Sequence, residues 1–327
     1  MINHLLSIVI AFFLDKWMGD PRNVPHPVRM MGSVISFLDR QWNQGKYLKL
    51  KGFFMILTAS AFFVVMTFTI VQYAYSVHLV FGIFIEAIIL SFMIAEKSLK
   101  EAAYDVYQPL IKGDLHEARK KLSWIVGRDT EDLPESEIVR GTVETVAENT
   151  SDAVTAPLFW SLIGGAPLAV LYRVVNTADA MVGYKNEKYQ HFGFASAKLD
   201  DFFNWVPSRL TAAIMILANA TLLKVRLKMC IHIVLRDAKK HPSPNSGFPE
   251  SAMAALLGVQ LGGVNKYKGI ISNRAKLGDR IFPLKADHIE QSILIMLRTN
   301  LLFVVMLMIG GVIVEAAVSW VQSILFI

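Results

Sequence analysis

The chain has 327 residues, of which 54% are apolar and only 18% are charged, and its formal net charge is +6. Soluble domains average about a quarter charged residues, so this composition excludes an ordinary soluble globular domain. The single cysteine, Cys230, excludes a disulfide framework or a thiolate metal cluster within one chain. No basic run with interleaved aromatic residues is present, so the positive charge predicts contact with anionic lipid headgroups rather than with nucleic acid.

The apolar residues arrive in long blocks rather than at amphipathic spacing, which predicts an all-α polytopic membrane protein with about five to seven membrane segments. The block at residues 53–71 contains no charge, and the block at residues 79–95 is interrupted only by Glu86. A shorter block at residues 5–14 predicts either a tilted first span or an interfacial helix. The remaining blocks lie at residues 154–172, 206–223 and 301–327, and the last of them carries Glu315.

The distribution of Lys and Arg predicts that the polar stretches 15–52 and 96–153 face the cytoplasm. If the blocks on either side of the basic stretch 173–205 both cross the membrane, that stretch is left outside, against the same rule. Pro157, the pair Gly164 and Gly165, and Pro167 favour a broken or re-entrant helix pair at residues 154–172. The alternative is a loop that folds back into a protein-lined cavity at membrane depth.

We therefore predict one integral membrane domain in the cytoplasmic membrane, with its site on the cytoplasmic side. The polar loops at residues 15–52, 96–153, 173–205 and 224–300 are expected to carry that site. They are longer than ordinary connecting loops and are not of low complexity, which is typical of functional segments.

The first cluster of polar side chains lies at the edge of the first apolar block, in the stretch LDKWMGDPRNVPHPVRMMG. Gly19 and three prolines make this stretch turn-rich and stiff. It presents carboxylates, an imidazole and guanidinium groups, which suit a ligand that contains phosphate and a metal ion. The alternative is an interfacial turn with solvated charges. The residues concerned are Asp15, Asp20, Arg22, His26 and Arg29.

A second cluster is acidic and lies on a predicted helix that begins at Pro134, a residue suited to the first turn. Glu144, Glu148 and Asp152 follow at i, i+4 and i+8, so an α-helix places all three on one face. Adjacent like charges destabilise a helix unless a cation compensates, and such oxygen clusters suit Mg²⁺. The alternative is a solvated acidic face that pairs with Arg140.

A third group of polar side chains lies in the stretch 173–201. Between residues 173 and 201, polar side chains that can bind phosphate, a metal or an amine lie beside apolar blocks: Asn176, Asp179, Lys185, Lys198, Asp200 and Asp201. Ion pairs that tie the loop to its neighbours are the alternative.

The stretch HPSPNSGFPE precedes a short predicted helix, which we expect to stop at Gly262 and Gly263. Free N–H groups at the helix start, beside Ser243, Asn245 and Ser246, favour an anion site. An ordinary loop fits the same residue types.

No P-loop, Rossmann fingerprint, HExxH or GxSxG motif is present, which argues against those nucleotide sites, zinc hydrolysis and a serine nucleophile elbow. The residues alone indicate a membrane protein that handles a phosphorylated ligand with a divalent metal. The blocks DKWMGDPRNVPHPVRMMG, GRDT, VETVAENTSDAVTAPLFW, YRVVNTADAMVGYKNEKYQHFGFASAKLDDFFNWVPSRLTA and HPSPNSGFPESAMAALLGVQLGG, in order over residues 15–283, resemble the adenosylcobinamide-phosphate synthase family.

The resemblance implies an ATP-dependent, Mg²⁺-requiring ligase that joins adenosylcobyric acid to (R)-1-amino-2-propanol phosphate through an amide bond. On that view the acidic residues Glu144, Glu148 and Asp152, with Asp20 and Asp179, would hold the metal. Phosphate charge would be met by Arg22, His26, Asn176, Lys185 and Lys198, with Ser243, Asn245 and Ser246. Asp200 or Asp201 would take the ammonium proton. Membrane lipid, and other membrane enzymes of nucleotide-loop assembly, are the expected partners.

Two rival functions remain open from the sequence. A membrane carrier for a corrinoid or phosphorylated solute fits the Gly- and Pro-broken helices and the charges at membrane depth, Glu86 and Glu315. A non-catalytic membrane sensor, like the relatives of the family in β-lactamase regulation, is expected to lose the acidic and phosphate-binding blocks. This chain retains them.

Overall fold

The computed structural model describes residues 2–20 and 26–325. Contacts within the chain divide it into two compact units. The sequence alone predicts one membrane domain. The first unit comprises Met1–Ala95, Ala156–Phe203 and Val304–Ile327. The second comprises Glu96–Thr155 and Asn204–Phe303. Both units are therefore assembled from stretches that lie far apart in the sequence.

The described residues are mainly helical, as the apolar blocks predict. The helices from the amino terminus to the middle of the chain are α1 (Ile2–Met18), α2 (Pro27–Trp42), α3 (Leu48–Val77), α4 (Leu79–Ser91), α5 (Glu96–Ile111), α6 (Leu115–Ser123), α7 (Glu135–Asn149) and α8 (Ala156–Val182). They are followed by α9 (Phe194–Phe203), α10 (Trp205–Asn219), α11 (Leu227–Asp237), α12 (Gly247–Leu257), strands β1 (Leu261–Tyr267) and β2 (Ile270–Leu277), and α13 (Asp287–Leu325). A π-helical turn, Thr150–Thr155, joins α7 to α8.

Four helical segments in the described part of the chain are long and apolar enough to cross a membrane, which confirms a helical polytopic membrane protein. The number is lower than the predicted five to seven. Residues 5–14 lie in α1, which has 17 residues, and the block at 206–223 lies mainly in α10, which has 15. The four segments are Leu48–Val77, Leu79–Ile111, Glu135–Val182 and Asp287–Ala317.

Helix α8 is broken within its apolar block, where the Gly and Pro composition predicts a break. Gly164 has φ −144° and ψ 27°, and Gly165 has φ 62° and ψ −158°, so neither residue is helical. A side chain at Gly165 would require left-handed backbone, and its Cβ would lie 2.3 Å from a carboxylate oxygen of Glu86. Glycine is therefore the residue that fits this position. Whether the two halves form a re-entrant pair stays a prediction.

The carboxylate beside this break belongs to Glu86, which is fully buried in the first unit. It accepts hydrogen bonds from the Ser7 hydroxyl at 3.1 Å, the Tyr75 hydroxyl at 2.7 Å and the Ala166 amide at 3.0 Å, and His4 Nδ1 lies at 2.8 Å. A buried carboxylate is costly unless hydrogen bonds compensate it. Here it also satisfies a backbone N–H that the break in α8 leaves without a helical acceptor.

The second unit has a core of buried apolar side chains from α5–α7 and α10–α13, with β1 and β2 at its edge. The antiparallel pairing of β1 with β2 was not predicted. Helix α12 ends earlier than expected, because Gly258 adopts the left-handed conformation that terminates helices (φ 65°). Gly262 and Gly263 were predicted to stop the helix, but they lie instead in β1, at an irregularity of the strand register.

Candidate functional site

In the first unit, a cavity of about 220 Å³ lies beside the turn-rich stretch after α1. Asp20, His26, Arg29 and Arg173 line it, together with Phe92 and three smaller apolar residues. Of the residues that the sequence analysis names in this stretch, the cavity contains Asp20, His26 and Arg29, whereas Arg22 lies outside the described residues. Arg173, which is buried, was not selected as a site residue from the sequence. Two guanidinium groups in a small cavity suit an anion such as phosphate.

Both ring nitrogens of His26 have protein partners. The amide of Val28 donates to Nδ1 over 3.3 Å, so His26 caps the start of α2 and Pro27 occupies the first helical position. Nε2 lies 2.8 Å from Asp20 Oδ1. Because Nδ1 is an acceptor, the ring proton is on Nε2, which donates a hydrogen bond to the carboxylate. The His26 ring therefore holds the Asp20 carboxylate in place at the cavity. For the ring of His26 to contact a phosphate directly, either Asp20 or the amide of Val28 would have to move away.

The polar residues of α8 and α9 form local pairs in the first unit. The Asn176 amide donates to Asp200 Oδ1 over 3.1 Å, and Lys198 Nζ lies 2.9 Å from Asp201 Oδ2. Lys185 is exposed in the loop after α8. Asp179 lies near the carboxyl end of α8, where its carbonyl accepts from the amide of Gly183. The structure thus brings together Asn176 with Asp200 and Lys198 with Asp201.

In the second unit, Glu144 accepts ion-paired hydrogen bonds from two buried arginines. Its Oε2 lies 3.0 Å from Arg128 Nη1, and its Oε1 lies 3.1 Å from Arg140 Nη1. The amide of Gly262 donates to Oε1 over 2.8 Å. The sequence suggests Arg140 as the partner of a solvated acidic face, but its side chain is only 3% exposed. Glu144 thereby ties α7 to the start of β1.

Glu148 contacts residues 241–246, which we call the HPSPNS turn. The Ser246 hydroxyl of this turn donates to Glu148 Oε1 over 2.8 Å. Within the turn, Ser243 Oγ accepts from the amides of Asn245 and Ser246, each at 3.2 Å. These two amides are among the donors expected to bind an anion, so the serine side chain already occupies them. The structure therefore brings together Ser243, Asn245, Ser246 and Glu148, but it gives the amide donors an internal acceptor.

A buried pair that the sequence reasoning missed lies next to this turn. His241 Nε2 is 3.5 Å from Glu250 Oε1, and both side chains are at most 6% exposed. Burial, together with the nearby charges of Glu144 and Glu148, raises the pKa of Glu250 well above its ordinary range. Burial also lowers the pKa of His241. Burial therefore works against the charged form of each group.

Another missed residue is Arg209, on α10. Its guanidinium lies 4.4 Å from the ring centre of Trp205 and 4.2 Å from that of Phe248. It also donates to Asn245 Oδ1 over 3.3 Å. The aromatic pair fixes a cation beside the HPSPNS turn. The stretch NWVPSRL carried no motif that would select Arg209 in advance, because its aromatic partners come from two separate helices.

The predicted metal ligands are divided between the units: Asp20 and Asp179 lie in the first, and Glu144, Glu148 and Asp152 in the second. Within the described residues, no group of three or more His, Cys, Asp or Glu side chains is arranged to hold a metal ion. Asp152 lies in the π-helical turn, so the i+4 alignment assumed for an α-helix does not apply to it. The metal assignment stays a prediction.

Comparison with known proteins identifies the family. The family model described as CobD/Cbib protein matches residues 8–296. A protein of Halalkalibacterium halodurans named Cobalamin biosynthesis protein CobD is 53% identical over 308 residues, which cover 94% of this chain and 97% of that protein. Proteins of the same name from Clostridium perfringens and Geobacter metallireducens are 46% and 44% identical, over 84% and 91% of this chain and 88% and 94% of their own lengths. No solved structure matches the chain.

These matches extend across nearly all the motif blocks quoted from the sequence, and they confirm the resemblance that those blocks carry. The match covers well over half of the chain, including the stretches that form the first-unit cavity, the acidic helix and the HPSPNS turn. The chain belongs to the CobD/Cbib family of cobalamin biosynthesis proteins.

Proposed function

We propose that this chain catalyses ATP-dependent amide-bond formation between adenosylcobyric acid and (R)-1-amino-2-propanol phosphate, giving adenosylcobinamide phosphate. Membership of the CobD/Cbib family over residues 8–296 is the observation that carries the proposal. The proposed reaction is also consistent with the side chains at the candidate site, which are cations and carboxylates. No serine nucleophile motif is present. The only cysteine, Cys230, is buried.

The proposed reaction has two steps. A propionate carboxylate of adenosylcobyric acid attacks the terminal phosphorus of ATP, which forms an acyl phosphate and releases ADP. The amine nitrogen of aminopropanol phosphate then attacks the acyl carbon and expels inorganic phosphate. The ammonium nitrogen loses two protons as the amide forms: Asp200 or Asp201 is the proposed acceptor of one, and the departing phosphate takes the other. Lys198 Nζ lies 2.9 Å from Asp201 Oδ2, so a cation stands beside one of the two candidate acceptors.

Positioning and electrostatic stabilisation are the main protein contributions to phosphoryl transfer. In the first unit, Arg29 and Arg173 in the cavity beside Asp20 and His26 are suited to phosphate charge, and Lys185 and Asn176 are proposed to add to them. In the second unit, Arg209 beside Asn245, with Ser243 and Ser246, offers a cation and hydroxyls at the HPSPNS turn.

Mg²⁺ is the proposed cofactor, and the three carboxylates of the acidic helix are not equally suited to bind it. Glu144 has both oxygens in contact with arginines, so it is the least suited of the three carboxylates. Mg²⁺ is commonly held by one or two carboxylates together with substrate phosphate oxygens and waters. Glu148 and Asp152 are therefore the residues that would hold it, and Asp20 and Asp179 are the corresponding candidates of the first unit. The ion would neutralise phosphate charge.

The proposed location is the cytoplasmic membrane, with the site on the cytoplasmic side, where ATP is supplied. The proposal rests on four apolar helical segments and on the Lys- and Arg-rich stretches between them. Other membrane enzymes of nucleotide-loop assembly are the proposed protein partners, since the product would pass to them.

The test is turnover by the detergent-purified full-length protein with ATP, Mg²⁺, adenosylcobyric acid and aminopropanol phosphate, read by mass spectrometry. The expected product is heavier than the corrinoid by aminopropanol phosphate less one water, and it is absent without ATP. Free aminopropanol in place of the phosphate tests the amine donor. A corrinoid that binds tightly but is never converted would overturn the ligase proposal. Transport of labelled corrinoid into vesicles would then test the carrier function.

A further inference from the structure

The proposed reaction assigns no role to the buried histidine that begins the HPSPNS turn. His241 follows a 3₁₀ turn, Ala238–Lys240, and belongs to the second unit. Its side chain is only 6% exposed. Burial of a polar ring is costly unless its nitrogens have partners, so the surroundings of each nitrogen indicate what the ring does.

The two ring nitrogens of His241 have different surroundings. The amide of Ser243 donates to Nδ1 over 3.0 Å, which is the shorter of the two contacts that this nitrogen makes with Ser243. Because Nδ1 is an acceptor, the ring proton is on Nε2. Nε2 lies 3.5 Å from Glu250 Oε1, too far for an ordinary hydrogen bond, and it has no hydrogen-bond partner among the described residues. The ring therefore acts on the chain through Nδ1.

Through Nδ1, His241 orders the turn itself. A side-chain acceptor that binds the amide two residues further along the chain is the contact by which Asn and Asp stabilise turns. The contact fixes Ser243, whose Oγ accepts from the amides of Asn245 and Ser246, each at 3.2 Å. Gly247 packs against the start of the turn, because a Cβ at this position would lie 2.7 Å from the Cβ of His241. The conformation of the whole turn therefore depends on the contact at Nδ1.

The ordered turn connects α12 to two other helices. The Ser246 hydroxyl donates to Glu148 of α7 over 2.8 Å. Arg209 of α10 donates to Asn245 Oδ1 over 3.3 Å and to the carbonyl of Pro244 over 3.4 Å. A displacement of the turn would therefore be passed on to both Glu148 and Arg209. In an enzyme, misplacement of a group by about 1 Å can lower the rate by about a hundredfold.

We propose that His241 is a positioning residue, which acts by holding the amide of Ser243 through Nδ1. The turn fixed in this way presents the Ser246 hydroxyl to Glu148 and two oxygen acceptors to Arg209. The importance of these contacts for turnover rests on the proposed function. The ordering of the turn by Nδ1 rests on the contacts alone.

Two substitutions separate the two ring nitrogens. In His241→Asn, the side-chain oxygen is placed like Nδ1 and can accept from the amide of Ser243. In His241→Gln, the longer side chain puts its amide in the place of Nε2 and leaves the amide of Ser243 without its acceptor. The two variants therefore differ in the one contact on which the proposal depends.

The test combines hydrogen–deuterium exchange of the HPSPNS turn with turnover, both in the full-length protein in detergent. In His241→Gln, the turn amides are expected to exchange at least about fivefold faster than in the wild type, because one buried hydrogen bond is lost. The kcat of this variant is expected to fall by about tenfold or more, because the turn is misplaced. His241→Asn is expected to resemble the wild type in both measurements.

His288→Gln is the matched control. His288 is also buried in the second unit, and its Nδ1 accepts from the amide of Lys285 over 3.0 Å. Neither residue belongs to the HPSPNS turn. The control loses the same kind of hydrogen bond, so it reports the general loss of stability that follows replacement of a buried imidazole. Exchange of the turn amides and kcat are expected to keep their wild-type values.

Faster turn exchange in His241→Asn as well as in His241→Gln, or wild-type exchange in His241→Gln, overturns the ordering of the turn by Nδ1. Faster exchange in His241→Gln with wild-type kcat overturns the positioning role. If His241→Gln does not fold, Ser243→Ala tests the next contact of the same series, and wild-type exchange and kcat in that variant overturn the inference. A wild-type protein that forms no amide product overturns the proposed function alone, because the exchange measurement still decides whether Nδ1 orders the turn.

Discussion

Replacing Arg140 by Lys tests whether one buried guanidinium attaches the hairpin to α7. Arg140 donates to Glu137 and Glu144 on its own helix and to the carbonyl of Gly262 (2.5 Å), the carbonyl of Val264 (2.9 Å) and Asn265 Oδ1 (2.8 Å). Lysine keeps the charge but not the five-donor fork.

The expected effect follows from the acceptors that lysine leaves unsatisfied. One ammonium group near Glu137 and Glu144 cannot reach all three acceptors of β1. Asn265 Oδ1 keeps a hydrogen bond from Arg128, so the carbonyls of Gly262 and Val264 are the acceptors that lose their donor. At about 1 kcal/mol each, the lower end of the usual range, the hairpin loses about 2 kcal/mol of local stability. That loss corresponds to roughly a thirtyfold increase in local opening.

Hydrogen–deuterium exchange of the full-length protein in detergent measures this opening directly. The amides of Leu261–Tyr267 are expected to exchange roughly thirtyfold faster in Arg140→Lys than in the wild type. Arg226→Lys is the control, because Arg226 is exposed at the start of α11, and its effect is expected to stay within about 0.5 kcal/mol. Wild-type exchange of β1 in Arg140→Lys would refute the attachment.

Three further predictions concern other parts of the chain. Burial alone would raise the pKa of Asp237, but hydrogen bonds from Arg236, Lys240 and the Gly278 amide hold it well below its ordinary value. Asp237→Asn should therefore cost about 2 kcal/mol at pH 7. The difference in chemical-denaturation midpoint should begin to shrink as the pH falls below about 4, and it should be lost only when the pH falls through the lowered pKa of the folded state. Glu148→Ala should raise the Mg²⁺ concentration for half-maximal turnover, and an unchanged Mg²⁺ titration would remove Glu148 from the metal assignment. Gly165→Ala should lower the apparent unfolding temperature more than Gly113→Ala, since both glycines have positive φ but only the first has a carboxylate oxygen where the methyl group would lie; equal shifts would contradict the steric argument.

Much of the fold follows from local sequence signals. Apolar blocks longer than about 18 residues predict membrane helices because a bilayer requires that length, and the Gly164–Gly165 pair predicts the break in α8. The hairpin was missed for a definable reason. Its two-residue turn uses Lys268 and Gly269, both with positive φ (49° and 83°), which is a type I′ geometry. Lysine rarely occupies the first of these positions, so the usual Asn-Gly signal was absent.

The site is less accessible to sequence reasoning, because its partners come from distant stretches. The spacing of Glu144 and Glu148 is visible in the sequence, but the arginine ligands of Glu144 and the serine partner of Glu148 are set by tertiary contacts. Ser243 was expected beside an anion site, yet its hydroxyl accepts the amides of the turn itself. The contact between His241 and Glu250 joins two buried side chains, and burial is not encoded by spacing.

The interleaving of the two units has a consequence for biogenesis. The ribosome completes residues 1–95 early, yet the first unit also needs 156–203 and a final segment that begins at Val304. Gly311 of α13 lies against the side chain of Leu5 of α1. The first helix to be synthesised therefore cannot complete its packing until the last helix has been synthesised. Contacts this distant in sequence form slowly and leave apolar surfaces temporarily unpaired. Premature termination before α13 should therefore yield a chain that quality-control proteases remove, even when every motif block has been translated.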